Sequence, residues 1–374
     1  MKSLFKIGTC FFILKLSVLC SIVLAAPVGT QLLKAKQQAE AKGFIFETSH
    51  DEIVFKAKKE GTLRVLSFLD TEGQKAMADA FRKKYPFIEV HAQGIGGTDE
   101  YQRFLPELKA GRTKVDVTHI PNHFYEEYVI YLKKFDILGM AGQRVLDIPA
   151  QQVDSVNRNI VAMATNIAVI AYNNKAISVE EVPDSWEGFL SAKFKGKKFV
   201  ADIRPLGVAG LVPAWGLGRT LEFAKKIAAQ EPIWTRGGTR ALASLSAGEY
   251  SILMAFNYGS VKRAQDRDPT RSVAYKVLEP VPVRFAGMGG VIAAAENPYS
   301  SLLWLEFQVT PEGQKLVDKY WPYGASVFVR GAAQEELIRG RKLSVMSWGN
   351  RQDMDDWLMK IVQVLGFPAG ETKN

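Results

Sequence analysis

Cysteine is nearly absent from this 374-residue chain: its two cysteines, Cys10 and Cys20, both lie in an apolar stretch near the N-terminus. We interpret that stretch as a secretory signal, because it is short for a membrane span, carries lysines at its front and ends in the small pair Ala25-Ala26. A retained membrane anchor is the alternative. A mature chain without cysteine has no disulfide, no thiol nucleophile and no cysteine-ligated metal.

Signatures of catalysis and of nucleic-acid binding are also missing. The sequence has no Gly-x-Ser-x-Gly elbow, Walker loop or His-Glu-x-x-His pair, and no arginine-rich arm or zinc pattern. Its four histidines, His50, His91, His119 and His123, show no metal-ligand spacing on a common helix. We therefore expect no enzyme, no cofactor, no metal site and no nucleic-acid partner.

The charge is basic without being extreme. Of the formal net charge of +9, three units belong to lysines of the signal segment, which leaves +6. Basic and acidic residues alternate along most of the chain, which is typical of a solubilising surface. Attraction of an anionic ligand or of a membrane surface is the alternative. With 47% hydrophobic residues the chain is long enough to bury a large core, and we expect two domains.

Strands and helices alternate in two blocks. The first block predicts strands at Thr62–Phe68, Phe87–Ala92 and Val115–Ile120, and the second at Lys198–Asp202 and Tyr250–Phe256. This alternation is typical of an α/β fold with mostly parallel sheets flanked by helices. Ligands of such open sheets bind beyond the carboxyl ends of the strands.

Two apolar runs separate the blocks and predict buried strands. Ile160–Ala176 is rich in alanine and β-branched residues, and Phe285–Pro298 repeats that composition after a glycine-rich entry. They indicate that the chain leaves one lobe and later returns, with a cleft between the lobes. The predicted divisions are a signal peptide at 1–25, a helical leader at 26–60, a first lobe at 61–165 with 287–374, and a second lobe at 166–286.

Eight segments, taken in order, resemble the extracellular solute-binding proteins of bacterial ABC importers, in the cluster that includes ferric-iron, thiamine, polyamine and phosphonate binders. The segments are EGTLRVLSF (60–68), ADAFRKKYPFIEV (78–90), ELKAGRTKVDVT (107–118), IAVIAYNNK (167–175), PDSWEGFL (183–190), LSAGEYSILMAFNY (245–258), GGVIAAAENP (289–298) and LEFQVTPEGQKL (305–316). The resemblance implies a type II periplasmic binding protein, monomeric and periplasmic, whose two lobes are joined by two hinge crossings. Such a protein closes on a small-molecule solute and delivers it to a membrane permease.

The candidate ligand-binding residues follow from the predicted strand ends and crossings. We expect the hinge at Thr165–Ala171 and Ala286–Val291, with the solute bound between the lobes. The residues expected to line the cleft are Ser67, Asp70, Thr71, Thr98, Asn122, Asn166, Asp202, Arg204, Arg236, Asn257 and Tyr258.

The identity of the solute follows from departures from the family patterns. Ferric-binding relatives commonly hold the metal with two adjacent tyrosines, whereas here Tyr258 is followed by Gly259. Asp70 stands where those relatives have a histidine, and Glu107 is the plausible match for their glutamate. Arg204 and Arg236 would oppose a polyamine. These features favour an anionic or zwitterionic organic solute. Ferric iron, a polyamine and a periplasmic sensor role are the alternatives.

We predict that the signal is removed near Ala25-Ala26, because charged, apolar and small residues follow one another in the order of a cleavable signal. Intact-mass measurement of secreted protein should find a chain that begins close to this pair. A full-length N-terminus recovered from the membrane fraction would contradict the prediction.

We also predict that the protein has no tight Fe(III) site, because Gly259 replaces one of the two phenolates of the iron-binding pattern. Titration with Fe(III) should produce no tyrosinate-to-iron band in the visible spectrum. The prediction is wrong if such a band appears and is lost in Tyr258→Phe.

Overall fold

The computed structural model describes residues 29–366. Its β-strands are β1 Thr62–Ser67, β2 Glu89–Gly94, β3 Val117–Ile120, β4 Ile160–Asn173, β5 Val200–Asp202, β6 Ile233–Thr235, β7 Ile252–Asn257, β8 Val273–Lys276, β9 Val281–Val291 and β10 Leu343–Met346. Its α-helices are α1 Thr30–Glu40, α2 His50–Glu60, α3 Thr71–Lys84, α4 Thr98–Lys109, α5 Tyr125–Val129, α6 Ile137–Gly142, α7 Leu206–Ala209, α8 Val212–Trp215, α9 Leu217–Ala228, α10 Gly238–Ser246, α11 Tyr258–Arg267, α12 Pro298–Gln308, α13 Pro311–Tyr320, α14 Ala333–Ile338 and α15 Met354–Leu365.

The strands form one continuous hydrogen-bonded path, β2-β1-β3-β9-β4-β7-β5-β6, with β10 added to β9 and β8 added to β4. Within the first lobe β1 pairs in parallel with β2 and β3, and within the second lobe β5 pairs in parallel with β6 and β7. The two long strands, β4 and β9, run antiparallel to each other and to β3, β7 and β8, whereas β10 pairs in parallel with β9. The antiparallel pair of β4 and β9 connects the parallel strands of the two lobes.

The strands predicted from apolar runs are present, with ends displaced by a few residues. β4 begins at Ile160 as expected and ends at Asn173, while β9 begins four residues before the predicted Phe285. The short strands β6, β8 and β10 were not anticipated. Each has three or four residues, and so short a run carries too little periodicity to be recognised.

β4 is shared by both lobes. Its residues Ile160–Ile167 pair with β9, and from Ala168 onward it pairs with β7 and β8. The pairing with β9 is interrupted at Gly287, which has a φ of 61°. A Cβ atom there would lie 2.8 Å from Cγ of Met163. Glycine, which has no Cβ, therefore suits both the positive φ and the close contact with Met163.

Buried glutamine side chains support β4 where it lies in the first lobe. Gln152, Gln314 and Gln334 donate to the backbone carbonyl oxygens of Ala162, Met163 and Thr165, at 2.7, 2.7 and 2.8 Å. Buried carbonyl groups without partners are costly. These bonds therefore help to hold β4 in one position as it approaches the second lobe.

Each lobe has its own apolar core. In the first lobe, α12 is buried along its whole length and packs with α2, α3 and β1. The segment predicted as a helical leader forms α1 and α2, and Ile53 and Ala57 of α2 belong to this core. In the second lobe, Trp186, Phe189 and Phe199 are fully buried.

The C-terminal segment 343–365 forms a third connection between the lobes. β10 pairs in parallel with β9, and Trp348 packs with first-lobe residues such as Leu66 and Tyr101. Ile361 and Leu365 of α15, however, pack into the second-lobe core. The prediction had placed all of 287–374 in the first lobe; the division into lobes remains our interpretation.

Candidate functional site

Two adjoining cavities lie where β4 and β9 pass between the lobes. The first, which we call the arginine cavity, has a volume of about 190 Å³. The second, which we call the methionine cavity, has a volume of about 330 Å³. Arg284 and Leu206 line both cavities, so the two are contiguous. The arginine cavity is lined by Asn166, Ile167, Ala168, Asp202, Arg204, Leu206, Gly207, Gly238, Ala255, Phe256, Asn257, Ser260, Pro282 and Arg284.

Arg284, in the middle of β9, is the central charged group of this region. The residue is half-buried, and the resulting desolvation lowers the pKa of its guanidinium. Within residues 29–366 the side chain has no hydrogen-bond or ion-pair partner. A guanidinium stays protonated in proteins, so the two cavities share a cation that forms no ion pair with any described residue.

Asn166 lies directly opposite Arg284 in the antiparallel pairing of β4 and β9. Directly opposed residues of an antiparallel pair project from the same face of the sheet. Both side chains line the arginine cavity, and the amide of Asn166 likewise has no side-chain partner among the described residues. The two crossing strands thus present a cation and an amide to one space.

Arg204 and Asp202 occupy the second-lobe side of the arginine cavity. Asp202 Oδ1 accepts a hydrogen bond of 2.8 Å from the backbone N–H of Arg204 and lies 3.7 Å from its Nε. Arg204 is exposed, with 60% of its side-chain surface accessible. The charge of Arg204 is therefore solvated and faces a carboxylate, in contrast to that of Arg284.

Two helices begin at the arginine cavity. Gly238, which lines it, is the first residue of α10, and no side chain caps that helix. α11 follows Asn257, whose Oδ1 accepts from the backbone N–H of Ser260 at 2.9 Å. Free N–H groups and the helix dipole make such ends favourable for negative charge.

β7 carries a bulge at the cavity wall. Its register against β4 shifts between Val169 and Ala171, and Ala255 has a φ of 58°. This left-handed conformation is unfavourable for alanine. Ala255 also lies against Gly207, where a Cβ atom would come within 2.4 Å of the Ala255 carbonyl oxygen. The bulge changes the direction in which β7 presents Asn257.

The C-terminal segment forms the outer wall of the methionine cavity. Arg351 donates to the backbone carbonyl oxygen of Asn122 at 2.7 Å and stacks over the ring of Tyr125, 3.7 Å from its centroid. Trp348 stacks on Phe285 with ring centroids 4.8 Å apart. These contacts attach the segment to the first lobe and to β9. The cavity is lined by Asn122, His123, Leu206, Arg284, Phe285, Met288, Met346, Ser347, Trp348, Arg351, Met354, Asp355 and Leu358.

The structure brings together some of the sequence-predicted site residues. Asn166, Asp202, Arg204 and Asn257 line the arginine cavity, and Asn122 lines the methionine cavity. The others lie outside both: Ser67, Asp70, Thr71, Thr98, Arg236 and Tyr258. Their roles in binding remain predictions.

Several of those outer residues have local structural roles. Asp70 caps α3 by accepting from the N–H of Gly73 at 2.8 Å, and the buried Ser67 Oγ accepts from the N–H of Leu69 at 3.2 Å. Tyr258 is 4% exposed and packs edge-on against Tyr275 and Tyr323. Burial also raises the pKa of Tyr258, which disfavours a phenolate at this position.

Arg284 and the methionine cavity were missed from the sequence. Arg284 stands inside VPVRFAG, where a single basic residue in an apolar run indicates only a solvated strand face. Its position near the end of the predicted second lobe, two residues before the predicted crossing at Ala286–Val291, was the available signal. The C-terminal wall had none, because β10 and the start of α15 are short and mixed in composition.

The histidines and acids of the described region do not gather into a metal site. Within residues 29–366, no group of three or more His, Cys, Asp or Glu side chains comes close enough to hold an ion. Desolvation lowers the pKa of His119 to about 3, and its Nδ1 pairs with the Tyr101 hydroxyl. His119 is therefore a neutral packing residue at neutral pH.

No helix within residues 29–366 is long and apolar enough to cross a membrane. The predicted signal peptide lies outside the described residues.

Solved structures with this fold are numerous. The iron- and citrate-bound FutA (IdiA) of Trichodesmium has a TM-score of 0.64 at 19% identity and covers 82% of this chain and 100% of its own. The open ferric iron-binding protein A of Mannheimia haemolytica has a TM-score of 0.63 at 15% identity, with 82% and 100% covered. The substrate-binding protein of an ABC transporter from Agrobacterium tumefaciens has a TM-score of 0.53 at 20% identity, with 83% and 96% covered. At these identities the likeness shows the fold.

The sequence matches no curated protein. A family model described as bacterial extracellular solute-binding protein, however, matches residues 76–336. These comparisons confirm the predicted type II periplasmic binding fold. They also confirm the predicted general function, that of a solute-binding protein of the ABC-importer type. The family consists of binding proteins and acts outside the cytoplasmic membrane. This chain belongs to the bacterial extracellular solute-binding proteins.

Proposed function

We propose that this protein captures a small anionic or zwitterionic organic solute in the arginine cavity and delivers it to the membrane permease of an ABC importer. The observation that carries the proposal is Arg284, a desolvated cation between the lobes that has no partner within residues 29–366. Removing a charge from water is costly unless another group compensates it. A bound anion would supply that compensation through charge-assisted hydrogen bonds.

The other groups around the cavity support the same class of solute. Asn166 and Asn257 offer amide groups, and α10 begins there without a capping side chain. Asp202 is the one acidic residue among those lining the cavity. Arg284 and Arg204 together outweigh it in charge. Asp202 would suit the ammonium group of a zwitterion, whose carboxylate would bind Arg284.

Polyamine and ferric iron fit the cavity less well. A polycation would meet the uncompensated charge of Arg284. Iron is named with several of the structurally similar proteins, but here Tyr258 is buried against two other tyrosines and Gly259 supplies no phenolate. An anionic solute requires no phenolate ligand.

A periplasmic sensor partner would use the same site and report to a receptor instead of a permease. We favour delivery to a permease because the family comprises the solute-binding proteins of importers. Reconstitution with a candidate permease and its ATPase separates the roles: only an importer component stimulates ATP hydrolysis when solute is present.

We predict that Arg284→Gln weakens binding of a responding anion about tenfold or more. A hydrogen bond to a charged group contributes about 1.5–3 kcal/mol, and about 1.4 kcal/mol corresponds to a factor of ten. Responding anions would be found by thermal shift among phosphate, citrate, acetate and amino acids, and their affinities measured by calorimetry. Arg204→Ala should weaken the same ligand by less, because Arg204 is solvated.

The melting temperature of the ligand-free protein provides an independent test of the role of Arg284. Because glutamine removes a partly desolvated charge that has no partner among the described residues, Arg284→Gln should leave the melting temperature of the free protein unchanged or raise it. The matched control is Arg82→Gln, which removes an exposed arginine paired with Asp79 on α3. Affinity that is unchanged in Arg284→Gln, or lowered equally in Arg82→Gln, would overturn the proposal.

We predict that the lobes close on the bound anion. A ligand shifts a conformational equilibrium only through additional contacts in the favoured state, and Arg284 lies on a strand that both lobes share. Small-angle scattering should show a smaller radius of gyration at saturation than without ligand. An unchanged radius of gyration at saturation would contradict the predicted closure of the lobes but would not contradict anion binding.

A further inference from the structure

We propose that the solute carries an apolar body, aromatic or branched, which occupies the methionine cavity while its anionic group binds Arg284. This inference rests on the proposed function and specifies the class of anion. It follows from the contiguity of the two cavities, which share Arg284 and Leu206. A molecule anchored at Arg284 therefore has a second space within reach.

The walls of the methionine cavity are mainly apolar. Six of the side chains that line it are Phe285, Met288, Met346, Trp348, Met354 and Leu358. Trp348 already uses its indole N–H, which donates to the backbone carbonyl oxygen of Gln151 at 3.2 Å. Three methionines can adapt to ligands of different outline, because their side chains are unbranched and polarizable.

The polar groups of the methionine cavity do not form a second anion site. Arg351 is committed to the Asn122 carbonyl oxygen and the Tyr125 ring. Asn122, His123, Ser347 and Asp355 are exposed, and the carboxylate of Asp355 would repel an anion. Arg284 is thus the unpaired cation that both cavities share.

The volume sets the size of the apolar body. An engineered apolar cavity of about 150 Å³ in another protein accommodates benzene, and the methionine cavity measures about 330 Å³. It therefore has room for a single or fused ring. Ligand sites of this kind commonly combine apolar walls with a few orienting polar groups.

The test uses ligands that share a carboxylate and differ in their apolar body. Calorimetry of the mature protein compares acetate, phenylacetate and indole-3-acetate. Each buried methylene should increase affinity about fourfold, so we expect indole-3-acetate to bind at least tenfold more tightly than acetate. Its binding heat capacity should also be more negative, which is the signature of apolar burial.

A matched pair of variants tests whether the methionine cavity is the source of the preference for indole-3-acetate. Met354 and Met359 lie on the same helix, but Met354 lines the cavity and Met359 is exposed outside it. Met354→Gln should remove most of the advantage of indole-3-acetate over acetate, and Met359→Gln should preserve it. Equal effects of the two substitutions would overturn the inference.

The outcomes also separate this inference from the proposed function. If acetate and indole-3-acetate bind equally and both depend on Arg284, the anion site stands and the apolar subsite is wrong. Indole-3-acetamide lacks the charge; if it binds as tightly as indole-3-acetate, the anion site is wrong. Failure of both aromatic carboxylates to bind, while phosphate or citrate binds through Arg284, would also overturn the apolar subsite.

Discussion

The antiparallel pairing of β4 with β9 is the constraint on which the rest of the structure depends. Both strands are longer than their neighbours, and each contributes one end to the first lobe and the other to the second. Their register places Asn166 opposite Arg284 at the passage between the lobes. Any movement of one lobe against the other must therefore bend or twist the strands that carry these two side chains.

The passage between the lobes contains a guanidinium, that of Arg284, with no ion-pair partner among the described residues. An arginine that serves stability has its guanidinium bonded to a carboxylate or to carbonyl groups, as the half-buried Arg158 is to Asp136 at 2.8 and 3.0 Å. Arg284 is desolvated and has no such bond to any residue within 29–366. On our proposal a bound anion would relieve the unfavourable free energy of this unpaired charge. The bulge at Ala255 is a second local conflict at the same wall, and conflicts of this kind tend to occur at functional sites.

The C-terminal segment gives the cleft a wall that neither lobe supplies alone. It adds β10 to the edge of β9, stacks Trp348 on Phe285, joins Arg351 to the first-lobe loop at Asn122 and inserts α15 into the second-lobe core. The charged side chains of the arginine cavity come from the end of β5 and from β9, as Asp202, Arg204 and Arg284. The C-terminal segment contributes much of the apolar surface of the methionine cavity. That division is the basis of our proposal that one passage binds both ends of an amphiphilic solute.

The sequence by itself determined the elements with strong local patterns. The apolar runs of β1, β4 and β9, the alternation of strands and helices in both lobes and the ordered family segments were all sufficient for the architecture and for the general function. They also identified four residues of the arginine cavity, because strand ends on one edge of a sheet converge. Only the tertiary structure decided that Arg284 is half-buried with no partner within residues 29–366, that Tyr258 faces other tyrosines and that residues 343–358 complete the cleft. These properties depend on register and on packing between segments far apart in the chain, and a single residue within a strand carries no local signal of either.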